Sequence, residues 1–185
     1  AGNVFNGDDI IYTLASRNKL HGKDMSDYVV GTIMTNQGIC DALAEIDVGL
    51  LRTNVGDKFV SRELVKENLN VGGETSGHVI QREFSESGDA NIALIQTLTA
   101  FSDLDATMAD IQKKINYWPH KLQSYDVQNE TYISSNEFNQ KIDDLQKSNT
   151  DARISVRKSG TEAKIRVMVE SFDKSKVDSL CAEIE

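Results

Sequence analysis

The sequence is poor in several residue types, and each shortage excludes a class of protein. Two cysteines among 185 residues are too few for the disulfide framework of a small secreted protein. No apolar run approaches the roughly 20 residues that a helix needs to cross a bilayer, so we expect no membrane as a partner. Acidic residues outnumber basic ones, and the net charge of −9 argues against nucleic acid as the main partner.

The two cysteines, Cys40 and Cys181, also lack the spacing of metal ligands. Cys40 lies within an apolar helical pattern, which predicts a buried free thiol. Free thiols favour a reducing cytoplasm as the location. The sequence opens at Ala1 without an initiator methionine, and this start favours a processed or truncated piece of a longer polypeptide.

Proline occurs once, at Pro119, where it cannot continue a preceding helix. Before it, short apolar strands alternate with amphipathic helical patterns. The predicted helices lie at 8–20, 36–46, 59–64, 90–102 and 104–115, and the predicted strands lie at 27–34, 48–51 and 79–80. The helix at 90–102 is predicted from the spacing of Ile92, Ile95, Leu98 and Phe101. Strands alternating with helices predict a mainly parallel-sheet α/β domain, which we place at residues 1–116, with a hinge at 117–120.

The pattern changes beyond the hinge, over residues 121–185. A strand at 121–127 is followed by a helix that a Ser134–Glu137 capping box begins. Residues 152–156 and 165–169 then alternate apolar with other side chains, as a pair of strands does, and a last helix follows. This order predicts a small β-α-β-β-α domain of the α+β class.

The turn between these last two strands, residues 157–162, combines small side chains with positive charge. From 157 to 166 there are four basic residues and one acidic residue, a local charge of +3 in an acidic chain. Small residues let backbone N–H groups approach an anion, hydroxyls add donors, and a guanidinium can bind phosphate through two hydrogen bonds. The pattern predicts a phosphate-binding loop, and a hairpin turn with solvated charges is the alternative.

A second small-residue turn, residues 72–78, lies between two apolar strands. In an open α/β sheet, a loop at the carboxyl end of a strand faces the ligand crevice. Glu74 can accept hydrogen bonds from neighbouring sugar hydroxyls, and Ser76 can donate or accept one. His78 can donate to a phosphate or transfer a proton near neutral pH. A tight structural turn and a structural histidine are the alternatives here.

Four segments of the chain resemble those of a known family. Residues 29–36, 55–60, 73–78 and 157–162 occur in an order similar to that of the α-D-phosphohexomutase superfamily. Within it, the Lys-Ser-Gly-Thr-Glu form of the last segment and the strand at 165–170 most resemble the bacterial phosphoglucosamine mutases. The resemblance covers nearly the whole chain and implies domains three and four of a four-domain enzyme.

The resemblance also implies a reaction and its participants. The family interconverts hexosamine 6-phosphate and 1-phosphate through a bisphosphate intermediate, with a phosphoserine and with Mg²⁺ on an aspartate-rich loop. It implies a catalytic candidate at His78 and substrate-binding residues at Glu74, Ser76, Lys58, Arg157, Ser159, Gly160, Thr161 and Arg166. The implied partners are a hexosamine phosphate, the missing N-terminal domains, and a second copy in a full-length homodimer.

Two parts of such an enzyme are absent from the sequence. It contains no serine segment like Thr-Ala-Ser-His-Asn and no metal loop like Asp-Gly-Asp-x-Asp-Arg, so we expect no turnover and no bound metal. Lys58 stands where the family often has Arg, and Thr75 stands where it often has Asn or Gln, so Thr75 is not assigned amino-sugar specificity. The alternatives are a phosphomannomutase or phosphoglucomutase half, a non-catalytic sugar-phosphate-binding module, and two structural domains that bind nothing.

Overall fold

The structure, a computed structural model, describes residues 4–22, 27–126, 135–159 and 164–184. The chain divides into two compact units, Ala1–Tyr117 and Trp118–Glu185, called unit 1 and unit 2 below. None of the helices in the described ranges is both long enough and apolar enough to cross a bilayer.

Unit 1 is built from helices that alternate with short strands. Its helices are α1 (Gly7–His21), α2 (Gln37–Ala44), α3 (Asp57–Lys66), α4 (Ala90–Asp103) and α5 (Met108–Lys113). Its strands are β1 (Tyr28–Thr32), β2 (Gly49–Thr53), β3 (Val71–Gly73) and β4 (Val79–Gln81). As predicted, Asn36 caps α2, because its side chain accepts a hydrogen bond from Gly38 N and so satisfies a free N–H of the first turn.

The four strands form one sheet in the order β2-β1-β3-β4. β1 runs parallel to β2 and β3, with Val30 opposite Leu51 on one side and Gly72 on the other, while β3 and β4 are antiparallel. The predicted mainly parallel sheet is therefore confirmed. The carboxyl ends of β1 and β3 meet where the strand order reverses, which is the usual ligand-binding position in such sheets.

The core of unit 1 lies on both faces of this sheet. Successive residues of a strand point to opposite faces, and accordingly Val29 packs with Ile39 and Leu43 of α2 while Val30 packs with Val60 and Leu64 of α3. Helix α1 contributes Ile11 and Leu14 to the first of these clusters. The strands are thus held from both sides, which fixes the loops at their ends.

The described residues of unit 2 form a three-stranded antiparallel sheet and two helices. Its elements are β5 (His120–Asp126), α6 (Asn136–Ser148), β6 (Ala152–Lys158), β7 (Lys164–Ser171) and α7 (Lys174–Ile184). The strand order is β5-β7-β6, and the predicted β-α-β-β-α sequence is confirmed. The predicted alternation also holds, since Val156 and Val167 lie opposite each other and pack with Val177 of α7.

Helix α4 exposes two of the four apolar side chains from which it was predicted. Ile95 and Leu98 are 59% and 53% exposed, whereas Ala93, Thr97 and Ala100 are buried. The predicted helix is confirmed. Its buried residues are small and let α4 approach the core closely, and Phe101 also packs against that core.

Three smaller expectations also need correction. The last helix of unit 1 spans only Met108–Lys113 rather than 104–115, because Leu104 ends α4 and a capping box at Thr107 begins a new helix. Ser135 caps α6 by accepting from Phe138 N, one residue after the predicted cap, and Ser134 lies outside the described residues. Cys40 is a free thiol, as expected, but it is only partly buried.

Candidate functional site

The candidate sugar-binding loop of unit 1 lies at the carboxyl end of β3. Its backbone closes on itself, because Glu74 N donates to His78 O and Gly77 N donates to Glu74 O, both at 2.9 Å. Gly77 has a φ of +97°, a left-handed conformation that favours glycine. The loop is therefore a tight turn with a defined hydrogen-bond pattern, and its exposed side points Ser76 and His78 to solvent.

Glu74 joins this loop to the segment before α3. Its Oε1 accepts from Gly56 N at 2.9 Å, at the N-terminus of a helix where a carboxylate is electrostatically favoured. The second carboxylate oxygen has no hydrogen-bond partner among the described residues. Glu74 is thus held by one oxygen and keeps the other as an acceptor for a ligand hydroxyl.

His78 lies beside a carboxylate that the sequence analysis did not single out. His78 Nε2 is 3.8 Å from Asp57 Oδ2, and the two side chains are 47% and 62% exposed. At that distance the two side chains are close but not hydrogen-bonded. The structure therefore places His78 on the exposed side of the loop, beside Asp57.

Lys58 begins the same helix as Asp57. Its backbone N–H donates to Asp57 Oδ1 at 2.8 Å, and its ammonium lies 5.0 Å from the centre of the Phe59 ring, a cation–π distance. The side chain is exposed and carries a positive charge. Lys58 therefore lies in the first turn of α3, which begins shortly after the carboxyl end of β2, whereas Glu74, Ser76 and His78 belong to the loop after β3.

The candidate phosphate-binding residues of unit 2 lie where β6 and β7 approach their connecting turn. Arg157 and Arg166 are directly opposite each other in the strand pairing, and Ser159 N donates to Lys164 O at 2.8 Å just beyond them. Because Val156 and Val167 face the helices, alternation places both arginines on the opposite face of the sheet. Two guanidinium groups are thus brought to one end of one sheet face.

The surroundings of this pair are also polar. Ser124 of β5 lies opposite Arg166, and Lys164 forms a long, exposed ion pair with Asp126, 3.9 Å between Nζ and Oδ1. The Ser159 hydroxyl is buried and makes no hydrogen bond to the part of the chain that the structure describes. Gly160 and Thr161 of the predicted loop lie outside the described residues.

No grouping of three His, Cys, Asp or Glu side chains that could hold a metal ion occurs within residues 4–22, 27–126, 135–159 and 164–184. The acidic side chains near the candidate site are used otherwise: Glu74 accepts from Gly56, and Asp57 faces His78. The residues described here do not fit a magnesium site, so we derive no step through a metal on this chain.

The sequence matches two parts of one protein family. Residues 6–117 match its alpha/beta/alpha domain III, and residues 102–185 match its C-terminal domain. The chain belongs to the phosphoglucomutase/phosphomannomutase family. The resemblance inferred from the four sequence segments is thereby confirmed.

Relatives in the phosphoglucomutase/phosphomannomutase family align with nearly the whole chain. It is 38% identical over 172 residues to phosphoglucosamine mutase of Thermosipho africanus, which covers 93% of this chain and 39% of that protein. It is 36% identical over 182 residues to phosphoglucosamine mutase of Thermotoga petrophila, covering 98% of this chain and 42% of that protein. The chain therefore spans about two fifths of the length of these curated relatives.

Solved structures of the superfamily share the fold. A crystal structure of N-acetylglucosamine-phosphate mutase in a substrate complex gives a TM-score of 0.78 at 20% identity, covering 95% of this chain and 42% of that one. Aspergillus fumigatus N-acetylphosphoglucosamine mutase, in complex with GlcNAc-6P and magnesium, gives 0.81 at 19% identity, covering 98% and 46%. At such low identity these similarities establish the fold and nothing further.

Two contacts in the site of this family member went unrecognised in the sequence. The Asp57–His78 pair joins residues of two different loops, and Asp8 accepts a hydrogen bond from Thr75. An acidic residue in the first turn of a helix is usually explained by the helix dipole, so neither aspartate stood out. Only the fold brings them to the 72–78 loop.

Proposed function

We propose that this chain is the C-terminal, substrate-binding part of a phosphoglucosamine mutase. The full-length enzyme would interconvert glucosamine 6-phosphate and glucosamine 1-phosphate through a phosphoserine and a bisphosphate intermediate. The observation that supports this most directly is the alignment of phosphoglucosamine mutases with 93% or more of the chain, through both candidate loops. The remaining three fifths of such relatives would supply the nucleophilic serine.

In this proposal, unit 1 binds and recognises the sugar. The unpaired oxygen of Glu74 accepts a hydrogen bond from a ring hydroxyl, and the exposed Ser76 hydroxyl donates or accepts another. His78, held near Asp57, donates to an anionic oxygen of the substrate or exchanges a proton with it. Lys58 adds a positive charge that favours an anionic ligand at the same edge of the sheet.

Unit 2 holds the phosphate that is not being transferred. Arg157 and Arg166 provide two planar donors that match phosphate oxygens, and the buried Ser159 hydroxyl supplies a third. Gly160 and Thr161 complete the predicted loop. Phosphoryl transfer depends mainly on positioning and charge neutralisation, so a binding half with no nucleophile still contributes directly to the rate of the full-length enzyme.

We assign the magnesium ion to the N-terminal part of the enzyme. When bound, Mg²⁺ would neutralise charge that develops on the transferred phosphoryl group. This chain would act only by binding and orienting the sugar phosphate. A cytoplasmic location, consistent with the free thiols of Cys40 and Cys181, and a homodimer of the full-length protein belong to the same proposal.

Turnover of the full-length protein tests this proposal. We expect kcat/KM to be highest with glucosamine 6-phosphate and lower with mannose 6-phosphate or glucose 6-phosphate. A preference for one of the latter two would instead identify a phosphomannomutase or phosphoglucomutase. Binding of all three sugars without turnover, in the presence of Mg²⁺ and a bisphosphate activator, would identify a non-catalytic binding module.

The 185-residue chain supplies the complementary test. It should bind sugar phosphates but should not interconvert glucosamine 6-phosphate and glucosamine 1-phosphate, even with Mg²⁺ and a bisphosphate. Appreciable turnover by the chain alone would mean that its own residues contain the nucleophile, and the division of labour proposed here would be wrong.

A further inference from the structure

A buried aspartate connects three segments beneath the candidate sugar-binding loop. Asp8, in the first turn of α1, is fully buried. Its Oδ2 accepts from Asn36 N at 3.1 Å, and its Oδ1 accepts from the Thr75 hydroxyl at 2.9 Å. One carboxylate therefore links the start of α1, the loop after β1 and the loop after β3.

Because Asp8 is buried, its carboxylate oxygens need these hydrogen bonds. A carboxylate removed from water is stable only when its oxygens are hydrogen-bonded, and the N-terminus of α1 adds a favourable electrostatic environment. Loss of the Thr75 hydroxyl would leave Asp8 Oδ1 without this partner, in a position that water does not reach in the folded protein. A change at Thr75 should therefore destabilise the folded conformation of the whole loop.

The backbone of the loop also lies directly on the start of α1. Gly7 N donates to Thr75 O at 3.1 Å. A Cβ atom at Gly7 would clash with the carbonyl oxygen of Glu74, so only glycine permits this approach. Asp8 and Gly7 thus hold the side chain and the backbone of the same residue, Thr75.

We propose that Asp8 is a positioning residue for the sugar-binding loop and acts through Thr75. Thr75 lies between Glu74 and Ser76, and its hydroxyl is directed inward to Asp8, with Met34 O a further 3.4 Å contact. The Thr75 hydroxyl therefore stabilises the loop, while Glu74 and Ser76 are available to the ligand. The role of the loop as a sugar reader rests on the proposed function, but the connection between Asp8 and the loop does not.

Amide hydrogen exchange tests the connection without any assay of activity. Thr75→Val replaces the hydroxyl with a methyl group of similar size and should raise exchange at Glu74 N and Gly77 N on the order of tenfold, the equivalent of one buried hydrogen bond. Thr75→Ser retains the hydroxyl and should restore protection close to wild type. The control is Thr97→Val, which removes another buried threonine hydroxyl, bonded to Ala93 O within α4, and should leave the loop unchanged.

A second variant keeps the test decisive if Thr75→Val fails to fold. Asp8→Asn retains an oxygen for Asn36 N and can turn an N–H towards the Thr75 hydroxyl, so it should fold and loosen the loop less than Thr75→Val does. Unchanged loop exchange in every folded variant at these two positions would overturn the proposal. Equal loosening in Thr97→Val would overturn it as well, since the effect would then be global.

Kinetics of the full-length protein distinguish a positioning role from a purely structural one. Thr75→Val should raise KM for glucosamine 6-phosphate about tenfold with a smaller change in kcat, as expected when binding common to the ground and transition states is lost. Thr75→Ser should recover the wild-type KM, and Thr97→Val should not change it. An unchanged KM in Thr75→Val would refute the positioning role. If wild type does not act on this substrate, the proposed function fails, and the exchange experiment still decides the role of Asp8.

Discussion

Two like charges face each other across the β6–β7 hairpin, and this arrangement gives a quantitative prediction. Arg157 and Arg166 are paired in register, which puts their Cβ atoms about 4.5–5.5 Å apart. If their guanidinium groups separate to about 7 Å, the repulsion in water is about 0.6 kcal/mol. At the proposed site, a bound phosphate would offset this repulsion because its negative charge attracts both cations.

The change we consider is Arg166→Gln in this chain. Removal of the repulsion offsets the loss of other contacts that the Arg166 side chain makes, so the ligand-free stability of unit 2 should stay within about 1 kcal/mol of wild type. Loss of one charged hydrogen bond to phosphate should weaken ligand binding by about 1.5–3 kcal/mol. The variant should therefore differ little from wild type until the ligand is added.

Linkage converts that affinity difference into a stability difference. At a glucosamine 6-phosphate concentration of about 100 times the wild-type Kd, the ligand stabilises the native state by about 2.7 kcal/mol. If Arg166→Gln binds about tenfold more weakly, the same concentration stabilises it by only about 1.4 kcal/mol. The ligand should thus open a gap of about 1 kcal/mol or more between two proteins that are similar without it.

Urea unfolding followed by Trp118 fluorescence measures this gap. Trp118 is the only tryptophan, it belongs to unit 2, and its ring contacts Phe172 edge-on at 6.2 Å, so its emission reports unfolding of that unit. Lys121→Gln removes the same charge from an exposed position on β5 and should keep the full ligand effect. Equal stabilisation of wild type and Arg166→Gln by the ligand would remove Arg166 from the phosphate site.

Three further predictions concern other parts of the chain. Arg153 forms an ion pair with the fully buried Glu170, 2.8 Å from Nε to Oε2. Arg153→Met should therefore lower the free energy of unfolding of unit 2 by about 3–5 kcal/mol in urea unfolding. The double variant with Glu170→Leu should recover most of that loss, because no buried carboxylate then remains at that position. Hydrogen bonds from Thr107 lower the pKa of Asp110 from 3.8 to about 2. The stabilising contribution of Asp110 is therefore present above pH 4 and lost as the pH falls towards 2. Asp110→Asn should flatten the dependence of the free energy of unfolding on pH in that window, and an unchanged dependence would contradict this. His78→Gln should lower turnover of the full-length protein without shifting its urea midpoint, and a wild-type rate would leave His78 a structural residue.

Local chemistry explains which parts of the fold could be predicted. The cap at Asn36 and the alternation of Val156 and Val167 depend on residues that are neighbours in sequence, so the pattern alone was sufficient. The buried face of α4 could not be predicted in this way, because both its buried and its exposed side chains have helical spacing. The larger side chains, Ile95 and Leu98, are exposed, while Thr97 can be buried because its hydroxyl donates to a carbonyl of its own helix.

The candidate site could likewise be predicted only in part from the sequence. Composition marks both loops as candidate binding sites, because small residues beside charged or hydroxyl side chains let the backbone approach an anion or a sugar. Their binding roles stay predictions. What holds the first loop could not be recognised, since Asp8 and Thr75 are 67 positions apart. Only the parallel arrangement of β1 and β3 places the start of α1 beneath that loop.

The two loops consequently differ in how they contribute to binding. The loop at Glu74 is held before any ligand arrives, by hydrogen bonds to Gly56 and, through Thr75, to the buried Asp8; such preorganisation lowers the entropy that binding must overcome. Arg157 and Arg166 of the hairpin would instead contribute through charge-assisted hydrogen bonds to a bound phosphate. Because salt screens the attraction between opposite charges but not buried hydrogen bonds, added salt should weaken the proposed phosphate contribution of unit 2 much more than the proposed sugar contribution of unit 1. A sugar phosphate and the matching sugar without phosphate, titrated over the same salt range, separate the two contributions.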